Sequence, residues 1–172
     1  MGKIYYNSPT LGPLTRDEYW DYLQKVPHSS STPVVTWHGW EYNAHGVCLN
    51  PNTQEFCENP YSVEMRTAQN KEGKWVLGYS IHLNGGGSSC GANCNTKAFE
   101  TENEAKYALL CEVEQQILNR IEWEKNLPSC EDDDDGFDYG QEKLAKNREK
   151  KLLKLLSKVR YYQEIYNNQT LF

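Results

Sequence analysis

The sequence predicts an α+β fold, in which a small antiparallel sheet with a β-hairpin packs against helices and a long C-terminal helix follows. Two observations support this prediction. Two stretches of alternating apolar and polar residues flank a turn within 61–83, and three other stretches carry apolar residues at helical spacing. The sequence divides into an α+β domain at 1–128, an acidic loop at 129–140 and a basic amphipathic C-terminal helix at 141–172.

Composition restricts the class of protein. Of the 172 residues, 38% are hydrophobic and 12% aromatic, which is typical of a folded chain and not of a disordered one. The first residues lack the apolar run of a signal peptide, and no window approaches the ~20 apolar residues of a membrane span. We therefore expect a cytoplasmic protein with no membrane contact, whose cysteines are reduced or bound to metal.

The first helix is predicted to begin after Thr15 and to run to about Lys25. Thr15 and Glu18 have the spacing of a capping box, in which each side chain accepts a hydrogen bond from the other residue's backbone. One face of this helix is aromatic, and it either packs in the core or binds a partner. Its members are Tyr19, Trp20, Tyr22 and Leu23.

A strand and a hairpin are predicted next. Residues 34–42 are rich in β-branched and aromatic side chains and predict a strand, followed by a long loop. Residues 70–73 (Asn-Lys-Glu-Gly) suit a type I turn with a left-handed glycine. This turn sets a register that places Met65 opposite Tyr79, so that the apolar residues of both strands share one face.

Two further helices are predicted after a loop at 84–97. Thr101 and Glu104 form a second capping box, and the helix that they open should end near Asn126 and cover the apolar face of the hairpin. The last helix should run from about 141 to 167, as an appendage or as a third packing helix. Its apolar stripe is short for a coiled coil, so self-association is left open.

Four cysteines are candidate metal ligands, because the predicted hairpin brings their loops to one end of the sheet. Four thiolates can hold zinc in tetrahedral geometry. Unpaired thiols are the favoured alternative and disulfides a third, since eight residues separate the first two cysteines and zinc knuckles use two to four. The chain is long enough to fold without a cofactor. The candidate ligands are Cys48, Cys57, Cys90 and Cys94.

The charge of the chain is strongly asymmetric. Residues 1–141 contain 10 basic and 21 acidic residues, whereas 142–172 contain 8 basic and 3 acidic ones. An acidic loop can imitate phosphates and bind a basic protein groove, and a basic helix can attract nucleic acid or pack against the acidic body. The candidate partner-binding residues are Asp132, Asp133, Asp134, Asp135, Lys150, Lys151 and Lys154.

The sequence lacks a nucleophile elbow, a zinc-protease motif and a kinase motif, and so indicates a protein that is not an enzyme. The leading hypothesis is a protein-binding module that regulates or inhibits a nucleic-acid-handling complex, because Trp and Tyr favour binding hot spots. The first alternative is a zinc-supported nucleic-acid-binding protein that uses the helix at 141–167. The second is an enzyme built around His38, Glu41 and His82, since imidazole and carboxylate groups can act as acid and base.

The motif Trp75-x-x-Gly78-Tyr79-Ser80, a glycine-rich loop and the motif Phe99-x-Thr101-x-x-Glu104-Ala105 follow one another in the chain. This run, over about 75–121, resembles small accessory proteins of bacteriophages and other mobile elements. The resemblance implies a small cytoplasmic protein that acts on host or element machinery, a group that includes counter-defence proteins. It identifies no catalytic residue.

Overall fold

A computed structural model describes residues 6–26, 31–83, 87–126 and 138–169, with side chains described from 146 to 168 in the last segment. The fold is α+β, as predicted, and the acidic side chains at 132–135 lie outside the described residues. No described helix is both long enough and apolar enough to cross a membrane. In chain order the elements are β1 (Tyr6–Ser8), β2 (Gly12–Leu14), α1 (Arg16–Lys25), β3 (Val35–Trp37), β4 (Trp40–Tyr42), β5 (Asn52–Glu58), β6 (Tyr61–Gln69), β7 (Trp75–His82), β8 (Gly87–Cys90), β9 (Ala98–Phe99), α2 (Glu102–Lys125) and α3 (Asp138–Gln169).

The central sheet is an antiparallel meander in the order β5-β6-β7-β8, and β9 also pairs with β7. The predicted hairpin is confirmed in its register, since Met65 pairs with Tyr79. Its turn closes through a hydrogen bond from the Asn70 N–H to the Lys74 carbonyl, at 2.9 Å. Gly73 takes a positive φ of 75°, which a residue without a Cβ adopts at little cost.

Three loop or strand predictions are wrong. The long loop before the hairpin contains β5, and the loop at 84–97 contains β8. Both are edge strands whose side chains are mostly polar, so they lack the alternation that marks a strand. Residues 34–42 form a tight β3–β4 hairpin and not one strand. His38 and Gly39 at its turn have φ values of 51° and 87°, as a two-residue type I′ turn requires.

Helices α2 and α3 cover one face of the sheet. Both predicted capping boxes are present, with Thr15 and Thr101 as the N-caps of α1 and α2. The apolar stripe of α3 is buried within the chain against α2 and the sheet, so α3 is a third packing helix. Fully or almost fully buried members of this core include Val63, Met65, Leu110, Val113, Ile117, Leu152, Leu155 and Val159.

The opposite face of the sheet is covered by smaller parts of the chain. The β3–β4 hairpin packs there through Val35, Trp37, Trp40 and Tyr42 on a cluster that also contains Ala68, Val76 and Ala92. Gly78 permits this packing, because a Cβ at that position would lie 2.2 Å from the backbone nitrogen of Ala92. Helix α1 belongs to a third cluster, where Tyr22 and Leu23 are buried with Ala44.

Candidate functional site

Three rings at the N-terminal end of the described chain form an exposed patch, which we call the aromatic surface: Tyr6 of β1 with Tyr19 and Trp20 of α1. The Tyr6 and Tyr19 rings stack with centroids 5.0 Å apart, and the Trp20 ring meets Tyr19 edge-on at 6.4 Å. The Tyr19 hydroxyl lies 3.2 Å from Nδ1 of His45, which fixes the central ring. Trp20 nevertheless remains 55% exposed.

The predicted aromatic face of α1 therefore has two roles. Tyr22 and Leu23 are each only 5% exposed and hold the helix on the body of the protein. Tyr19 is half-buried, and burial raises the pKa of its hydroxyl, so this group is neutral at physiological pH. Trp20 is left on the surface, where its indole has apolar area that a partner could cover.

Acidic residues outnumber basic ones beside Trp20 on α1, where exposed Arg16 lies one helical turn before it. Asp17 lies nearly one helical turn before Trp20 and Asp21 is its neighbour in the chain, and both are exposed. The carboxylate of Glu18 accepts a hydrogen bond from the Thr15 N–H at 2.8 Å as part of the capping box. An apolar ring whose charged neighbours are mostly acidic is complementary to a basic surface that also offers an apolar or cationic group.

A hydrogen bond from Lys158 lowers the pKa of Glu58 in β5, and the charges of Lys154 and Lys151, two of the candidate partner-binding lysines of α3, add to this effect. Lys150 and Lys154 are exposed, and Lys151 is half-buried. Other cations of the helix pair with acidic residues of the body. This agrees with the interpretation in which the basic helix packs against the acidic body. These pairs are Arg148–Glu124 at 3.8 Å, Lys158–Glu58 at 2.7 Å and Arg160–Glu114 at 2.8 Å. Much of the basic charge of α3 is therefore used in holding the helix on the body.

The strength of the ion pair at Glu114 depends on pH. Gln163 donates a hydrogen bond to one oxygen of Glu114 and Arg160 donates to the other, at 2.9 and 2.8 Å. These two hydrogen bonds, in that order, lower the pKa of the Glu114 carboxyl below its ordinary value. The contact between α2 and α3 is therefore strongest where Glu114 is ionised.

The four candidate zinc ligands are not brought to one point. Cys48 and Cys94 join the cluster beneath the β3–β4 hairpin, whereas Cys57 lies in β5 and Cys90 in β8. Because β6 and β7 separate these two strands and the register places Cys57 level with Gly87, Cys57 and Cys90 are more than roughly 14 Å apart. Two of the four cysteines, predicted to lie in loops, are therefore in paired strands instead.

Burial further distinguishes the first two thiols. Burial raises the pKa of Cys48, and it raises the pKa of Cys94 to about 11. Both are therefore neutral thiols at physiological pH in the absence of metal, whereas zinc binds the thiolate. Among the residues that the structure describes, no group of three or more His, Cys, Asp and Glu side chains is placed to hold a metal ion.

The residues of the enzyme hypothesis are also dispersed. Nε2 of His38 lies 3.3 Å from the Lys71 carbonyl, at the turn that precedes β7. His82 lies at the other end of β7, an eight-residue strand that spans roughly 24 Å. Glu41 is exposed in β4 and pairs with Thr36 across that hairpin. The structure does not bring His82 within reach of the other two residues.

Tyr6 is the member of the aromatic surface that the sequence did not reveal. It lies in β1, which pairs with β2 over only three residues on each strand. Strands of this length are too short to show alternation, and Gly12 and Pro13 within β2 favour a loop prediction. The adjacent tyrosines at positions 5 and 6 were the available signal, because such rings are enriched in strands.

Comparison of the chain with protein-family models found no match. Searches against curated proteins and against solved structures found no match either. The residues and contacts of this chain are accordingly the basis on which its function is inferred.

Proposed function

We propose that this protein is a non-enzymatic protein-binding module that regulates or inhibits a nucleic-acid-handling complex, and that it binds through the aromatic surface. The observation that carries this proposal is the exposure of Trp20, at 55%, beside two stacked tyrosine rings. Trp and Tyr dominate binding hot spots because their burial removes a large apolar area from water. Rings that are already fixed by stacking lose little conformational entropy when a partner covers them.

The charge of the chain supports a basic partner. Asp17 and Asp21 flank Trp20, and residues 1–141 have 21 acidic against 10 basic residues. Proteins that bind nucleic acid present basic surfaces to the phosphates, and an acidic protein can occupy such a surface in place of the nucleic acid. The resemblance of residues 75–121 to accessory proteins of mobile elements agrees with a regulatory role of this kind.

Affinity purification from the native host tests the proposal with three forms of the protein. The wild type and Tyr161→Ala should recover the same nucleic-acid-binding protein, and Trp20→Ala should recover at least tenfold less of it. Tyr161 is a matched control, because its ring is 60% exposed on α3, away from the aromatic surface. Equal recovery by Trp20→Ala would show that binding does not use this surface.

A second experiment tests regulation separately from binding. The purified partner is titrated with this protein in the presence of a labelled nucleic acid, and displacement is followed by fluorescence anisotropy. We expect the labelled nucleic acid to be released as the two proteins associate, and release to require Trp20. A ternary complex that retains the nucleic acid with unchanged affinity and activity would contradict the regulatory part of the proposal.

A further inference from the structure

A cavity of about 440 Å³ lies between α2 and the end of the β7–β8 pair, away from the aromatic surface. Ile81 and Leu83 are its apolar lining on the sheet side, and Ser88 of β8 adds a hydroxyl. The helix contributes one stripe at positions i, i+3, i+4 and i+7: Gln116, Asn119, Arg120 and Trp123. The cavity is open to solvent and its volume is in the range of sites that hold small molecules, while Ile81 and Leu83 are only 2% and 8% exposed.

Arg120 is held in place at this cavity. Its Nε and one terminal nitrogen donate to Oε1 of Glu124 at 3.0 and 2.6 Å, and its guanidinium lies 4.0 Å from the centre of the Trp123 ring. A guanidinium has five N–H groups, so further donors remain for a ligand. Asn119 accepts a hydrogen bond on Oδ1 from Gln115 at 2.9 Å, and its amide N–H groups remain as donors. The helix side of the cavity is therefore rich in donors.

The local charge favours an anion, although the protein as a whole is acidic. The Glu124 side chain is only 2% exposed, and it faces two guanidinium groups, those of Arg120 and Arg148. Arg120 is the charged residue among those that line the cavity, so its guanidinium is the group that attracts a negative ligand. The acidic residue next along the same face of α2 is Glu112, one turn before Gln116, so the Arg120 end is the favourable position for a negative group.

We propose that this cavity binds a small ligand with one carboxylate and an apolar or aromatic body. The carboxylate accepts hydrogen bonds from Arg120 and Asn119, and the body lies mainly on the half-exposed Trp123, beside the small exposed parts of Ile81 and Leu83. A free organic acid and the C-terminal residue of a peptide both have this chemistry. The site is independent of the aromatic surface, and its test involves no macromolecular partner.

Three probes test the site by NMR titration of the full chain: 3-phenylpropionate, 3-phenylpropionamide and the peptide acetyl-Ala-Ala-Phe with a free C-terminus. The indole N–H signal of Trp123, assigned with Trp123→Phe, reports binding. We expect the acid to bind at least tenfold more tightly than the amide of the same shape. The peptide binding more tightly than the acid would identify a chain terminus as the ligand, and the reverse order would identify a free acid.

Variants locate the interaction. Arg120→Gln should reduce the acid-to-amide preference to less than twofold, and Arg16→Gln, at an exposed position in α1, should leave it unchanged. Arg120→Gln could also affect folding, because Arg120 contacts the buried Glu124. A second variant, Trp123→Ala at a half-exposed position, avoids this difficulty. It should weaken the binding of the acid and of the amide about equally, as measured from the Leu83 methyl signals. Equal affinity of the wild type for acid and amide, or no binding of either, would overturn the proposal.

Discussion

The two faces of the central sheet are covered in different ways. On one face, α2 and α3 bury a continuous apolar core that includes the fully buried Leu110, Ile117 and Leu155. On the other face, the short β3–β4 hairpin and the segment at 91–92 cover only the part of the sheet around Ala68 and Val76. Glu55, His82 and Ser89 of this second face are not buried.

The difference shows which kind of contact stabilises each face. The first face depends on apolar volume, where removal of methyl groups leaves a cavity. The second depends on close approach of backbone to backbone, where Gly78 contacts residues 91 and 92 and any added atom must displace main chain. The helix-covered face should therefore be most sensitive to truncation of its side chains, and the second face to their enlargement.

The largest effect is expected from truncation on the helix-covered face. Leu155→Ala should lower the free energy of unfolding by about 3 kcal/mol, because this fully buried side chain would leave a cavity between α3 and the sheet. Leu153→Ala, at a 46% exposed position of the same helix, is the control and should change it by less than about 1 kcal/mol. Urea denaturation measures both. If Leu155→Ala lost as little stability as the control Leu153→Ala, α3 would contribute little to the core.

Enlargement on the second face should have the next largest effect. Gly78→Ala should lower the free energy of unfolding by about 2 kcal/mol, because its Cβ would lie 2.4 Å or less from two backbone atoms of residues 91 and 92. Ser80→Ala, on the same strand and face, is expected to change it by less than about 0.5 kcal/mol. If Gly78→Ala is as stable as the wild type in thermal denaturation, residues 91 and 92 do not pass as close to Gly78 as described above.

Acid should weaken the helix-covered face in particular. The pKa of Glu114 is lower in the folded protein than in the unfolded chain, so its stabilising effect is complete above the unfolded-state pKa. That effect is lost as the pH falls through the lower, folded-state pKa. Denaturation at pH 7 and at pH 3 should therefore show a smaller loss of stability for Glu114→Gln than for the wild type. Glu122→Gln, at an exposed position in α2, should keep the wild-type pH dependence.

A smaller effect is expected from the outer side of α3. Since Arg148, Lys158 and Arg160 pair with acidic residues of the body, we expect nucleic acid to bind with a Kd above about 100 µM at physiological salt. The variant with Lys150→Glu and Lys154→Glu should remain folded, with a small loss of stability because Lys154 is one of the charges that act on Glu58. Tight, salt-sensitive binding that this variant abolishes would instead favour the nucleic-acid-binding alternative.

The smallest effect concerns metal, because the register places Cys57 and Cys90 on different faces of the sheet. Cys57 and Cys90 lie on opposite edge strands, so a four-thiolate zinc site would require the sheet to rearrange. We expect less than stoichiometric zinc in protein purified without chelator or metal-affinity resin, and unchanged metal content in Cys90→Ser. One zinc per chain that Cys90→Ser removes would show that the cysteines form a zinc site and that the sheet rearranges around it.

The sequence predicts some elements better than others, for physical reasons. At Asn70–Gly73, turn chemistry and apolar alternation independently select the same register, and the two capping boxes locate the starts of α1 and α2. Strand β5 has Phe56 as its single buried residue, so no alternation reveals it. The His38–Gly39 turn lacks the common Asn-Gly pattern and is flanked by apolar residues on both sides, which imitates one strand.

The candidate site shows the same limit. Helical periodicity correctly groups Tyr19 and Trp20 with the buried Tyr22, but it does not reveal that the body covers only part of that face. Tyr6 completes the surface from a separate hairpin, and this long-range contact has no local signal. The residues of α2 that line the cavity form an ordinary polar helix face in the sequence. Only the positions of β7 and β8 show that this face borders a cavity.

The order in which the chain is synthesised gives the meander a further consequence. Strands β5 to β8 pair with their immediate neighbours in sequence, so they can form as soon as they have left the ribosome. Helix α3 contacts β5 across about a hundred residues, as the hydrogen bond from Lys158 to the Cys57 carbonyl illustrates. Until that helix emerges, one apolar side of the nascent sheet is incompletely covered, and a ribosome-bound chain lacking α3 should bind chaperones more strongly than the full-length chain does.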